Sequence, residues 1–181
     1  ITVTADAQSE VSLDGTNFSN SVMFSRTDTS SQSITVRAID DAANEAAHTS
    51  TITHAITATN DPTDYPLGTS IDDVVVNIAD NDVPGVTIVE SGGTTNIAEI
   101  GVIDTYDVML DTIPAGSVEI TITADAQSEV SLDGTNFGAS QSFSRTDRSP
   151  QTVTVRAIDD SVIEGDHTST IGHAISATND P

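Results

Sequence analysis

The sequence predicts an all-β protein made of tandem antiparallel β-sandwich modules of the immunoglobulin-like type. Three observations carry this: a long internal repeat, period-two alternation of apolar residues in nearly every segment, and Gly, Pro, Asn and Asp gathered at the breaks between segments. The stretch "ITVTADAQSEVSLDGTNF" at 1–18 returns as "ITITADAQSEVSLDGTNF" at 120–137, an offset of 119 residues. The alignment runs without a gap to "ATNDP" at 58–62 and 177–181, and 46 of its 62 positions are identical. A unit of 119 residues is too long for one turn of a solenoid and suits one sandwich domain. The 181 residues therefore hold about one and a half units, with 1–82 expected as the C-terminal part of one module and 83–181 as the N-terminal part of the next.

The elements follow in chain order. "VVVNIAD" offers Val74, Val76 and Ile78 to one face and closes on Asp80. "VTIVESGG" reads as the first strand of the next unit, ending near Glu90. "TYDVMLD" alternates Tyr106, Val108 and Leu110 with polar neighbours, and "SVEITITAD" sets Val118, Ile120, Ile122 and Ala124 against Glu119, Thr121, Thr123 and Asp125. Asp133-Gly134, with its copy Asp14-Gly15, signals a tight turn between strands. "VTVRA" repeats the alternation with Val153, Val155 and Ala157. No window has a helical period, so about seven short strands per unit are expected, apolar inward and polar outward.

Composition narrows the function. The chain carries 21 Asp and 7 Glu against five Arg and no Lys, for a net charge of -23. Neutralising phosphates needs clustered cations, so nucleic acid is not an expected partner. No run of 18 apolar residues occurs, so no membrane insertion of this segment by a helix is expected. A chain opening at Ile1 is expected to be a piece of a longer protein. The absence of Cys excludes disulfides and thiolate metal sites.

The charge is densest in "TVRAIDDSVIEGDH", where Asp159, Asp160, Glu164 and Asp166 occupy eight positions at a strand end. Two like charges about 4 Å apart repel by about 4 kcal/mol at the effective dielectric of a protein surface. A solvated, salt-adapted surface is one account of this; a bound cation is the other. Adjacent strand residues point to opposite faces, so Asp159 and Asp160 reach one point only if the strand ends there, with Glu164 and loop carbonyls such as that of Val162 turning back. A site of carboxylate and carbonyl oxygens suits a hard cation, and flexible coordination from loop positions suits calcium better than magnesium. The first unit retains Asp40, Asp41 and Glu45 in "RAIDDAANEAAH". Asp125, Asp80, Asp82 and Glu90 also lie at strand ends and are candidates to converge with these loops.

The patterns "VTIVESGG", "DTYDVMLDTIPAGSVEITITAD", "VRAIDDSVIEGDH" and "VNIADNDVPG" resemble a Calx-beta domain, the calcium-binding β-sandwich of sodium/calcium exchangers that also occurs in tandem in large bacterial surface proteins. The resemblance covers essentially the whole chain in circularly offset order; the acidic loop and the terminal "DND" are its specific parts. It implies calcium ligands at Glu90, Asp125, Asp159, Asp160 and Glu164 with the Val162 carbonyl in the second unit. In the first it implies Asp6, Asp40, Asp41, Glu45, Asp80 and Asp82 with the carbonyl of Ala43. Asn81 stands where the exchanger pattern has an acid, and Ala43-Asn44 replace the apolar pair Val162-Ile163.

The expected function is that of a non-enzymatic calcium-binding spacer, stalk or adhesin segment of an extracellular bacterial surface protein, its module joints stiffened by calcium near Val83-Pro84-Gly85. Expected partners are neighbouring repeats and an adhesion target that the sequence does not identify. The second unit has no "DND" strand of its own in these residues, nor the first a counterpart of Glu90, so strand complementation between copies is a further expectation. An extracellular filament held by strand exchange, a calcium-sensor module and an accessory module of a secreted hydrolase are the alternatives. No catalytic residue is expected: His173 shares strand parity with Ile171 and Ile175, His167 borders the acidic loop, and no Ser lies in a G-x-S-x-G sequence. Two glycines in "ESGGTTN" without a following Lys do not make a phosphate loop, and 3% aromatic residues leave little for sugar stacking. Arg37 and Arg156 are expected to pair with surface acids.

Overall fold

The computed structural model describes residues 1–180; Pro181, the last residue of the second "ATNDP", lies outside them. The chain is all-β and antiparallel, as its alternation predicts, and divides into two compact units. The first comprises 1–41 and 45–81; the second runs from Asp82 onward and includes Ala42–Asn44. No helix among the described residues is long and apolar enough to cross a membrane.

The second unit contains seven strands, β7 (Val86–Glu90) to β13 (Ile171–Thr178), with β8 at Ile103–Leu110, β9 at Val118–Ala124, β10 at Ser128–Ser131, β11 at Ser140–Arg145 and β12 at Gln151–Ala157. They form two sheets, ordered β10-β12-β8-β7 and β11-β9-β13. The alternating residues of β8 and β9 face inward: Tyr106, Val108, Leu110, Val118, Ile120, Ile122 and Ala124 are buried, together with Val130, Val153 and Val155 from β10 and β12. Those ten residues come from both sheets, so the core is the filling of a sandwich. Burying each of the larger ones stabilises by about 1.5–3 kcal/mol.

The first unit is built from β1 (Thr2–Ala5), β2 (Ser9–Ser12), β3 (Ser21–Met23), β4 (Thr35–Ala38), β5 (His48–Ala55) and β6 (Val74–Ile78). Its sheets are β3-β1-β5-β6 and the two-stranded β2-β4. The 119-residue offset maps β3-β1-β5 onto β11-β9-β13 and β2-β4 onto β10-β12, so the same pairings arise from the same sequence. The units differ at the edges. On β5 the edge away from β1 is covered by β6; on β13 the equivalent edge pairs with no strand among the described residues. On β12 the edge away from β10 is covered by β8; on β4 the equivalent edge is unpaired. The first unit accordingly buries only Val3, Ala5, Val11 and Ile52 as a core, against ten residues in the second.

The Asp-Gly signal corresponds to a real turn in both units. Gly15 and Gly134 have φ of 75° and 72°, which favours glycine. The Asp14 carboxylate accepts from the Asn17 and Thr16 backbone N–H groups, both at 2.8 Å, and from the Asn17 side chain at 2.6 Å; Asp133 does the same with Asn136 and Thr135. These bonds, led by the one from the Asn N–H, hold both carboxyls far below the usual carboxylate range.

Candidate functional site

Beyond the ends of β4 and β6 the first unit encloses a small pocket of about 80 Å³, lined by Asp40, Asp41, Glu45, His48, Asp80 and Asn81 among others. Antiparallel pairing of β6 with β5, His48 opposite Ile78 and Ile52 opposite Val74, carries Asp80 to this pocket. There Asp80 accepts a 2.8 Å hydrogen bond from the Glu45 backbone N–H, and Glu45 lies 3.5 Å from His48 Nε2. Four carboxylates separated by up to 40 positions in sequence thus line one pocket. The donor set is chemically suited to a hard cation. Its side chains do not converge as they stand: among the described residues no group of three or more His, Asp or Glu is placed to hold a metal ion.

The other expected ligands of the first unit lie elsewhere. Asp6 follows β1, and its carboxylate is taken up by the Ser50 hydroxyl at 2.6 Å, the Thr51 N–H at 2.7 Å and the Gln8 N–H at 3.0 Å. Ser50 is fully buried and also shares a 2.6 Å hydrogen bond with the buried Ser9. Asp6 is therefore a latch that ties the turn after β1 to β5, and these bonds, the Ser50 hydroxyl first, lower its pKa. Ala43 groups with the second unit, as does Asp82, and neither lines the pocket.

In the second unit the expected ligands are dispersed. Asp125 repeats the latch: it accepts from the Ser169 hydroxyl and the Thr170 N–H, both at 2.6 Å, and from the Gln127 N–H at 3.0 Å. Its pKa is lowered for the same reason, the Ser169 bond leading. Asp159, Asp160, Val162 and Glu164 sit on an exposed loop, where Asp160 accepts from the Val162 N–H at 2.7 Å. Glu164 lies 3.5 Å from His167 Nε2, and the Gly165 carbonyl, 2.9 Å from His167 Nδ1, raises that histidine's pKa with help from Glu164. An exposed pair of this kind contributes little to stability. Glu90, at the end of β7, accepts from Thr95 at 3.1 Å and faces a different cleft, lined also by Tyr106, His167, Ser169, Ile171 and His173.

Several organising groups lie outside the expected set. Asp104 accepts from the Ser91 hydroxyl and from the Asn96 N–H at 2.8 Å, which fastens the 3-10 turn Ser91–Gly93 to β8 and lowers its pKa, the Ser91 bond leading. His173 is a packed strand histidine: its Nε2 lies 2.8 Å from the Tyr106 hydroxyl, and the rings meet edge to face at 83°. Burial lowers its pKa. Arg37 pairs with Glu10 at 2.7 Å and Arg156 with Glu129 at 2.6 Å, each directly across a strand pair, and the guanidinium groups stack over Phe18 and Phe137 at 4.1 and 4.2 Å. The partners of Asp104 are 8 to 13 positions away around a loop, with no periodic signal to mark them. No protein-family model and no curated protein matches the chain.

Proposed function

We propose that the chain is a non-enzymatic, calcium-binding structural repeat of an extracellular bacterial surface protein of the Calx-beta type, serving as a stalk, spacer or adhesin segment. One observation supports this above the others: Asp40, Asp41, Glu45 and Asp80 line a single small pocket although like charges repel. Those four carboxylates would hold an ion there, and it would supply the neutralisation of their mutual repulsion. Weak sites of roughly 10⁻⁴ to 10⁻³ M suffice where calcium is plentiful.

Thermal melts in calcium and in chelator test the proposal, with an Asp40→Asn/Asp41→Asn variant alongside. At a hundredfold excess of calcium over Kd, mass action stabilises by about 2.7 kcal/mol. For a unit of this size that is a rise of roughly 10 °C or more in the transition of the first unit, absent from the variant. Equal melting temperatures of the native chain in calcium and chelator would leave the carboxylates as surface charge and remove the proposal.

A further inference from the structure

The pentapeptide His-Thr-Ser-Thr-Ile occurs twice, at 48–52 and at 167–171. At 48–52 it is strand throughout: β6 pairs with all five residues, whereas β1 reaches only Ile52. At 167–171 only Ile171 is strand, and among the described residues no strand pairs with β13 where β6 pairs with β5. Burial follows the pairing: Ser50 and Ile52 are buried, whereas Ser169 and Ile171 are only half-buried, and His48 is half-buried where His167 is exposed. Identical residues thus reach different states, and the neighbouring strand is the difference between them.

The edge at 167–171 is nevertheless held ready. The Asp125 latch grips Ser169 and Thr170 from the β9 side, as Asp6 grips Ser50 and Thr51. Beside it a cleft of about 530 Å³ opens toward the core, with Ile88, Ile97, Tyr106, Val155 and Ile171 in its wall. In the first unit the corresponding side of β5 is covered by β6, whose Val76 packs on the core. An open edge beside a cleft of mixed lining, with Ile88, Ile97, Val155 and Ile171 as its apolar part and Glu90, His167 and His173 among its polar part, fits an extended segment that adds one strand and buries alternate side chains.

We propose that the edge at His167–Ile171, with its adjoining cleft, receives the Val74–Ile78 strand of a further copy of the 119-residue unit, in the register that β6 uses on β5. That register sets His167 opposite Ile78, Ser169 opposite Val76 and Ile171 opposite Val74 of the incoming segment. Val76 enters the cleft. The segment also brings an Asp80 and an Asn81 beside Asp159, Asp160 and Glu164, the composition that lines the acidic pocket of the first unit. Strand addition does not depend on a cation, so it stands or falls separately from calcium binding.

The test adds a synthetic peptide of residues 63–82 to the full chain and follows backbone amide exchange in chelator. Exchange at Ser169 and Ile171, the amides that alternate with the Asp125-bound Thr170 N–H, is expected to slow by at least about tenfold, toward the behaviour of Ser50 and Ile52, because these edge amides gain strand partners. A Val76→Asp peptide is expected to bind at least about tenfold more weakly, since it sets a carboxylate against Ile88, Ile171 and the Glu90 carboxylate of the cleft. A chain continued after position 181 by the sequence of residues 63–82 repeats the test intramolecularly, with the same protection expected. Protection absent from Ser169 and Ile171 in both formats would overturn the proposal. So would protection confined to 48–52, or a peptide-free dimer in which Ser169 and Ile171 are already protected by a second copy of the same edge.

Discussion

Replacing Tyr106 by Phe removes a side-chain hydrogen bond that joins β8 of one sheet of the second unit to β13 of the other. The Tyr106 ring is 4% exposed and meets His173 edge to face, and both features survive in Phe. What is lost is the hydroxyl, 2.8 Å from His173 Nε2. A buried polar group left without its partner costs about 1–3 kcal/mol. His173 is only half-buried, so the lower part of that range applies, about 1–2 kcal/mol. For a unit of about 100 residues this lowers the transition temperature by roughly 5–10 °C. Differential scanning calorimetry reads it, with the first unit's transition as internal control because Tyr106 lies outside it. The pH dependence has a definite sign. Burial depresses the folded-state pKa of His173, so stability is greatest above the unfolded value of about 6.5 and declines as pH falls through it toward the folded value. A Tyr106→Phe chain melting within about 1 °C of the native one would refute the assignment of net stability to this bond.

Two further outcomes follow from the local geometry. Asp6 and Asp125 have folded pKa values below 3.8, so the stability from their latches is present above that value and is lost as pH falls through the folded values. Urea midpoints measured between pH 7 and pH 2 are expected to drop less steeply for Asp6→Asn/Asp125→Asn than for the native chain. Gly134→Val is expected to destabilise the second unit by about 1–2 kcal/mol, because φ of 72° strains a β-branched side chain; a urea midpoint equal to the native one would contradict this.

Much of the fold was legible in the residues because burial on a pleated strand is a local, period-two property. Tyr106, Val108 and Leu110, like Val118 to Ala124, point inward as their alternation predicts, and Asp133-Gly134 turns the chain where expected. Val74 shows the limit of that rule. It shares parity with Val76 and Ile78 but is 50% exposed although it lies opposite the buried Ile52, because β6 is an edge strand with no neighbour on its outer side. The acidic positions were less legible. Asp6 and Asp125 look like free carboxylates at strand ends, yet their partners Ser50 and Ser169 lie 44 residues downstream and meet them only through the pairing of β1 with β5 and of β9 with β13. Asp80 joins Asp40, Asp41 and Glu45 because β6 runs antiparallel to β5, while Glu90, ten residues later, faces another cleft.

By itself the sequence determined the repeat, the strands, their buried faces and the antiparallel sandwich, since each depends on residue size, branching and polarity at neighbouring positions. Only the tertiary structure decided which carboxylates share a pocket, which are consumed as latches and which edges stay open, since each depends on segments far apart in the chain. His-Thr-Ser-Thr-Ile marks the boundary between the two. The same five residues are strand at 48–52 and, but for the last, irregular at 167–171, because backbone hydrogen bonds need a partner strand that no local sequence supplies.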